Sequence, residues 1–381
     1  MALYRGANGV IAFGTGGEPT YGASTITSLG THLIYAEEAA TSKVPLVFNK
    51  NSLATGYEHG IGLTQLSDQT RLQFRGPVDD KGLPLLLAFA LGTDTVSTVD
   101  TSGKLHTIGL AACNEELRST VAAVVMGEII SNTSRQVTFA GVVVDKLHIF
   151  TSDETGMWEF EADCFTAGYN SGGSAVDVSG YLKPTLFPYT QGTTFVNFQT
   201  TSATVTPVWD PPIATLTVPL GGSGSTPANG GVAWGSTQAA FSPSVEAVDI
   251  LIDNKVRGSW SGLSGNFASR AVRGQRDVTV TLRHKWDDGV ATNQNLIGNA
   301  GNVAYALCIY NRQNTVASAT TNYYAFGFYL NKVGPLTVSP PGGLDVRTNE
   351  SVWTLHDPAT TGIKPMHAFV MNTDATDYVT V

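Results

Sequence analysis

Three carboxylates sit two residues apart in the stretch MWEFEADCF, residues 157–165: Glu159, Glu161 and Asp163. A pair of carboxyl groups flanking a glycosidic bond is the machinery of glycoside hydrolysis, one acting as acid and the other as base or nucleophile. The residues between them, Trp158, Phe160, Ala162 and Cys164, are apolar. Such strict alternation marks a half-buried strand and places the three acids side by side on one face. Neighbours of that kind form a solvent-facing or lumen-facing acidic stripe far more often than a catalytic pair.

Other chemistry finds less support. The histidines are His32, His59, His106, His148, His284, His356 and His367. No two stand at HxH or HxxxH spacing, so a zinc site would need ligands from distant strands. Cys113, Cys164 and Cys308 are scattered and form no CxxC pair, which reads as buried free thiols in a reducing compartment. The GTGG of residues 14–17 lacks the Lys-Ser/Thr of a phosphate loop and reads as a turn. The Gly-Ser-Gly of residues 222–224 lies in a low-complexity loop, which cannot hold a strained nucleophile elbow. Aromatics are not interleaved with Arg and Lys as a single-strand nucleic-acid platform requires. No catalytic, cofactor-binding or metal-ligating residue is assigned, no cofactor is expected, and the chain reads as a structural protein rather than an enzyme.

The elements that must position the acids are strands. The chain has 381 residues with 41 glycines, and only 14% of its residues are charged, against about 25% in ordinary soluble domains. A surface so poor in charge is built from Thr, Ser, Asn and Gly, or is covered by other copies of the chain. The net charge of −9 argues against a surface that grips nucleic-acid phosphates. The N-terminal MALYRGANGV shows no secretory pattern, and the longest apolar stretch, residues 83–91, is about half the ~20 residues of a membrane span. Synthesis and retention in the cytoplasm are the expectation, with no membrane partner.

Strands are expected over 136–150 and 157–165, joined by a hairpin loop at 152–156, and again over 245–253 and 275–286. Further strands are expected at 304–310, 323–333, 350–355 and 367–371. The best helix candidate is 79–91, opened by Asp79 and Asp80 and closed by Gly92, with Leu85, Leu86, Phe89 and Leu91 as its packing residues. A shorter helix is expected to begin near Asp287-Asp288 and run through 293–298. Residues 171–240, rich in Gly and Pro, read as a linker or inserted segment between a first half, 1–170, and a second half, 241–381. Val144-Asp145-Lys146-Leu147 and Val248-Asp249-Ile250-Leu251 share a pattern, a weak sign that the halves are duplicates.

Several stretches together carry a resemblance. They are GYEHGIGLTQLSDQTRLQFRGPVDDKGLPLLLAFALG (56–92), FAGVVVDKLHIFTSDETGMWEFEADCF (139–165), the hairpin of 245–288, and the closing GFYLNKVGPLTVSPPGGLDVRTNESVWTLHDP. This pattern of elements resembles the tail tube (major tail) proteins of long-tailed bacteriophages over about two-thirds of the chain. The resemblance implies a mainly β fold, a sandwich or barrel flanked by a short helix, either single or duplicated. It implies subunits that close into rings, six copies of one domain or three of a doubled one, stacked into a tube in the virion tail. Negative charge would then line a channel through which DNA passes without specific contacts. The implied partners are the chain itself and other tail proteins such as the tape measure, terminator and distal tail protein, with synthesis in the host cytoplasm.

Two other readings stand beside it. One is a different virion protein, such as a head decoration or tail-terminator subunit. The other is a carbohydrate-binding or adhesin module, using Trp158, Trp209, Trp234 and Trp260 as stacking surfaces.

Overall fold

A computed structural model describes residues 4–22, 30–34, 36, 38–49, 63–98, 103–112, 115–128, 134–151, 156–169, 180–181, 189–191, 201–207, 245–260, 268–285, 305–315, 323–339, 348–357 and 364–379. The chain is mainly β, with antiparallel sheets and one short helix among the described residues. The first part holds β1 (Tyr4–Thr15), β2 (Gly30–Ile34), β3 (Glu38–Asn49), β4 (Leu63–Pro77), α1 (Gly82–Leu91), β5 (Gly92–Thr98), β6 (Lys104–Leu110), β7 (Thr120–Glu128), β8 (Ser134–Thr151) and β9 (Trp158–Thr166). Short strands follow: β10 (Gly168–Tyr169), β11 (Gly180–Tyr181), β12 (Tyr189–Gln191) and β13 (Thr201–Pro207). The last part holds β14 (Val245–Asp253), β15 (Arg257–Ser259), β16 (Arg270–Val272), β17 (Asp277–Lys285), β18 (Tyr305–Thr315), β19 (Tyr323–Ser339), β20 (Thr348–Leu355) and β21 (Met366–Asn372).

Two unusually long strands, β8 and β19, each serve two sheets. The first part of β8 pairs with β7, which pairs with β1 and through it with β2. The second part of β8 pairs with β9, followed by β4 and β3. β2 and β3 are consecutive in the chain, so the two sheets are linked at both sides. They face each other across a core in which Phe13 of β1 meets Phe74 of β4, with ring centroids 6.2 Å apart. β8 changes sheets at a bulge where Gly141 has φ +63, a conformation that glycine adopts without strain.

The same layout recurs in the second part. β19 pairs first with β18 and β21, then with β20, which leads to β17 and β14. The ladder defects coincide as well. The β7–β8 register steps from Thr120↔Val142 to Ala122↔Phe139, and the β18–β19 register from Tyr305↔Val333 to Leu307↔Leu330. The β8–β9 register skips Asp145 between Val144↔Cys164 and Lys146↔Asp163. The β19–β20 register skips Leu336 between Pro335↔Trp353 and Thr337↔Val352. Both defects lay β8 on β19 with one spacing, Val142 on Val333 and Lys146 on Thr337. The hairpins β3–β4 and β8–β9 of the first repeat thus correspond to β14–β17 and β19–β20 of the second.

The repeats join edge to edge. β8 pairs with β14 from Lys146↔Asp253 to Phe150↔Asp249. One sheet of eight antiparallel strands results, in the order β3-β4-β9-β8-β14-β17-β20-β19. The two Val-Asp-x-Leu segments thus lie on facing strands of this junction and hold non-equivalent places in the two repeats. On the other layer β6 pairs with β21, carrying the β5–β6 hairpin onto the second repeat. β11, β12 and β13 fall within the stretch expected to be a linker or insertion. They pair with β8, β2 and β18 respectively. The expected helix near 293–298 and most of the expected loop at 152–156 lie outside the described residues.

α1 begins at Gly82, three residues later than expected. The Asp79 carboxylate accepts hydrogen bonds from the backbone N–H of Lys81 and Gly82, so residues 79–81 form the turn that leads in. The helix ends where Gly92 takes φ +108 and its N–H bonds the carbonyl of Ala88. Every residue of α1 is buried, which suits a helix that is apolar all round and enclosed by β2, β5, β6, β8 and β21.

Candidate functional site

The eight-stranded sheet has a core face and a charged face. Leu72, Phe74, Leu147, Ile149, Phe160, Ala162, Val248, Ile250, Val280 and Leu282 point into the core. The charged face is covered at one end, where Val143 and Phe165 pack with Val256 and Ala271. Along the rest of this face the strands alternate in charge. β4 presents Arg71 and Arg75, β9 presents Glu159, Glu161 and Asp163, and β8 presents Lys146 and His148. β14 presents Asp249 and Asp253, and Arg283 of β17 stands opposite Glu350 of β20. Arg75 stands opposite Glu161 in the equivalent pair of the first repeat.

The three acids of β9 therefore share one face, as the alternation requires, but they are one column in a field of opposite charges. Arg75 donates to Glu159 at 2.7 Å and lies over the Phe150 ring at 5.3 Å. Arg71 bridges Asp163 at 2.9 Å and Asp145 at 2.7 Å. Burial disfavours the charge on Arg71, yet Asp145 and Asp163 more than offset it, and its pKa is raised. Glu161 is the most exposed of the three, its side chain 61% accessible, with His148 3.9 Å away. His148 also hydrogen-bonds Asp249 at 2.8 Å, and Lys146 meets Asp253 at 3.7 Å, so both contacts cross the junction between repeats. Opposite charges on neighbouring strands each contribute about 0.2–1 kcal/mol. Asp145, the bulge residue of β8, also accepts the N–H of Val256, and its carbonyl accepts that of Asn254. Asn254 donates in turn to the carbonyls of Ala90 at the end of α1 and Val144.

The packing residues expected in the helix, Leu85, Leu86, Phe89 and Leu91, are all fully buried. Of the tryptophans offered as stacking surfaces, Trp158 is fully buried with its ring edge-on to Phe326 at 5.1 Å. Trp260 packs against a small cluster around Phe165 and Val256, and Trp209 and Trp234 lie outside the described residues.

A second constellation is buried and was not legible in the sequence, because its members lie hundreds of residues apart. His32 of β2 meets the Asp374 carboxylate at 2.5 Å, and the Tyr378 hydroxyl donates to the same oxygen at 2.9 Å. His106 of β6 bonds Asp94 at 3.0 Å through Nδ1 and the Asp374 carbonyl at 3.0 Å through Nε2. The His106 and Tyr378 rings stack at 4.7 Å. This network locks the segment after β21 onto the first repeat. Burial opposes the charge on Asp374, but bonds from His32 and the Thr376 N–H hold its pKa below the usual carboxylate range. Among the described residues no three His, Cys, Asp or Glu side chains are grouped to hold a metal ion, and no helix is long and apolar enough to cross a membrane.

Nearby Asp79 behaves in the opposite way. Burial pushes its pKa up to about 6, although its bonds to Gly82 and Lys81 pull downward. An acid with a raised folded pKa favours the folded state at low pH, and that contribution is lost as pH rises from about 4 through about 6. Asp79→Asn keeps an acceptor for Gly82 and removes the buried charge. It is expected to stabilise the chain by about 1–3 kcal/mol at pH 8 and to change little at pH 4, as read by urea denaturation.

No protein-family model and no curated protein matches the chain. Among solved structures, the crystal structure of an Hcp protein aligns with 43% of this chain and 97% of that one, at 9% identity and a TM-score of 0.20.

Proposed function

We propose that this chain is a structural subunit without catalytic activity, that it self-assembles into rings, and that the rings stack into the tail tube of a long-tailed phage. The observation that carries the reading is the eight-stranded sheet, made of two head-to-tail repeats and left with one unpaired edge at each end among the described residues. Exposed edges invite pairing with further strands, and closure into a barrel removes them. A chain that already joins two repeats edge to edge supplies two-sixths of a six-repeat ring, so three copies make the ring. With strands about 4.8 Å apart and tilted about 40°, some 24 strands give a barrel roughly 50 Å across. α1 and the other sheets cover the core face, so the charged face, apart from its Val143–Phe165 end, is the one left to line the lumen. Alternating columns of charge there would offer phosphates no continuous basic track to bind. The tape measure, terminator and distal tail proteins are the partners this reading expects, and DNA is cargo.

Negative-stain microscopy of the purified chain tests the assembly. Hollow tubes or rings of one width support it, and protein that stays monomeric under all conditions sinks it. Within tubes, Glu161→Gln is the informative lumen variant, because Glu159 and Asp163 anchor arginines and their loss would also cost stability. Normal tubes with altered DNA ejection are expected; unchanged ejection removes the lumen assignment for Glu161.

A further inference from the structure

The two edges left unpaired among the described residues are the repeat-equivalents of the two edges already joined inside the chain. β19 corresponds to β8 and β3 corresponds to β14, so the β8–β14 junction is a template for contact between copies. The eight strands alternate in direction, so β3 and the end of β19 run oppositely, as β8 and β14 do. Carrying the template across fixes the register. Lys146 maps onto Thr337 by the shared ladder defects. Asp253 maps onto Val44 through the β17–β20 and β4–β9 ladders, which set Arg283 of β17 on Arg75 of β4.

We infer that the end of β19 in one copy pairs antiparallel with β3 of a second copy of this chain, with Thr337 opposite Val44, Val338 opposite Lys43 and Ser339 opposite Ser42. The contact is head-to-tail: one copy gives β19 and its neighbour gives β3, so it propagates until a ring closes. Prolines bound this window in the sequence. Pro45 stands where the template has Asn254, whose N–H bonds the Asp145 carbonyl. Lacking that donor, Pro45 ends the ladder one step early. Residues 340 and 341 are also proline and stop it at the other end. A short window between prolines resists the one-residue slip that would exchange the two faces of the sheet.

The inference rests on the ring-forming reading, and paired cysteines separate the two. In a Cys113→Ser background, Lys43→Cys with Val338→Cys and Val44→Cys with Thr337→Cys are the matched pairs, and Lys43→Cys with Thr337→Cys is slipped by one. Cys164 and Cys308 are buried and stay in place. After mild oxidation of assembled protein, non-reducing gels are expected to show linked dimers and trimers, ending at three chains, for at least one matched pair. The slipped pair is expected to link at least tenfold less. Assemblies in which the slipped pair links as well, neither matched pair links, or Lys43→Cys alone links to itself overturn the register while leaving ring formation standing. A parent chain that forms no rings overturns both. Should the cysteines block assembly, hydrogen exchange of the unsubstituted chain decides. Protection gained on assembly over both 42–44 and 337–339 supports the pairing, and its absence from either overturns it.

Discussion

Phe89→Ala is expected to lower the unfolding free energy of the unassembled subunit by about 3–5 kcal/mol, in the range of large-to-small changes at fully buried aromatics. Phe89 is in the last turn of α1 and has no exposed surface. Its ring meets Phe13 of β1 edge-on at 5.7 Å, Phe13 meets Phe74 of β4, and Phe74 meets Phe160 of β9 at 5.8 Å. This chain of rings runs from the helix through one sheet to the other, so the cavity left by truncation opens at the contact that holds the two sheets on α1. Equilibrium denaturation in urea measures the loss. Val272→Ala, at a residue 40% exposed, is the matched control and is expected to change stability by less than about 0.5 kcal/mol. A Phe89→Ala cost as small as the control's would mean that α1 does not organise the core. Because ring assembly requires the folded subunit, tube yield should fall with temperature earlier in Phe89→Ala than in the parent.

Asp374→Ala is expected to cost at least about 3 kcal/mol at neutral pH, because three donors lose their acceptor at about 1–3 kcal/mol each. His32, the Tyr378 hydroxyl and the N–H of Thr376 all lose their acceptor. The pH dependence gives a sharper test. The folded pKa of Asp374 lies below its ordinary value, so the carboxylate contributes stability above about pH 4 and loses it as pH falls further. The gap between parent and Asp374→Ala should therefore narrow between pH 5 and pH 2, where the parent's own acid sensitivity is concentrated. Asp94, Asp377, His32 and His106 surround this site, so the comparison is made between variants at each pH. A gap that stays constant with pH would show that Asp374 acts through packing, not through its charge.

Local pattern made much of this legible. The alternation of residues 157–165 reads directly as β9, because side chains on a strand point to opposite faces in turn. The β14–β17 hairpin was legible for the same reason, with Val278, Val280 and Leu282 all inward. The apolar run 83–91 between an aspartate pair and Gly92 reads as the best helix candidate, and only its first turn differs, since Asp79 bonds the backbone of Gly82. The partners of the acidic stripe were half visible: Arg71 and Arg75 alternate with Leu72 and Phe74 in the same period-two code. What the code cannot say is that β4 lies beside β9, because the strands are separated by some eighty residues and by α1.

The amino-acid sequence by itself determined the strands of 136–165 and 245–285, the helix, and the apolar faces of β9 and β17, because these follow from side-chain period and backbone freedom within a dozen residues. The order of strands in the sheet was decided only in three dimensions. The Val-Asp-x-Leu match pointed to β8 and β14 as equivalents, whereas hydrogen bonding makes them neighbours and pairs β8 with β19 as repeats. Ladder bulges carry that equivalence, and a bulge depends on which strand lies alongside. The same holds for His32, Asp94, His106, Asp374 and Tyr378, which become one network only when the segment after β21 packs onto the first repeat. Burial then makes five scattered polar residues hydrogen-bond partners of one another.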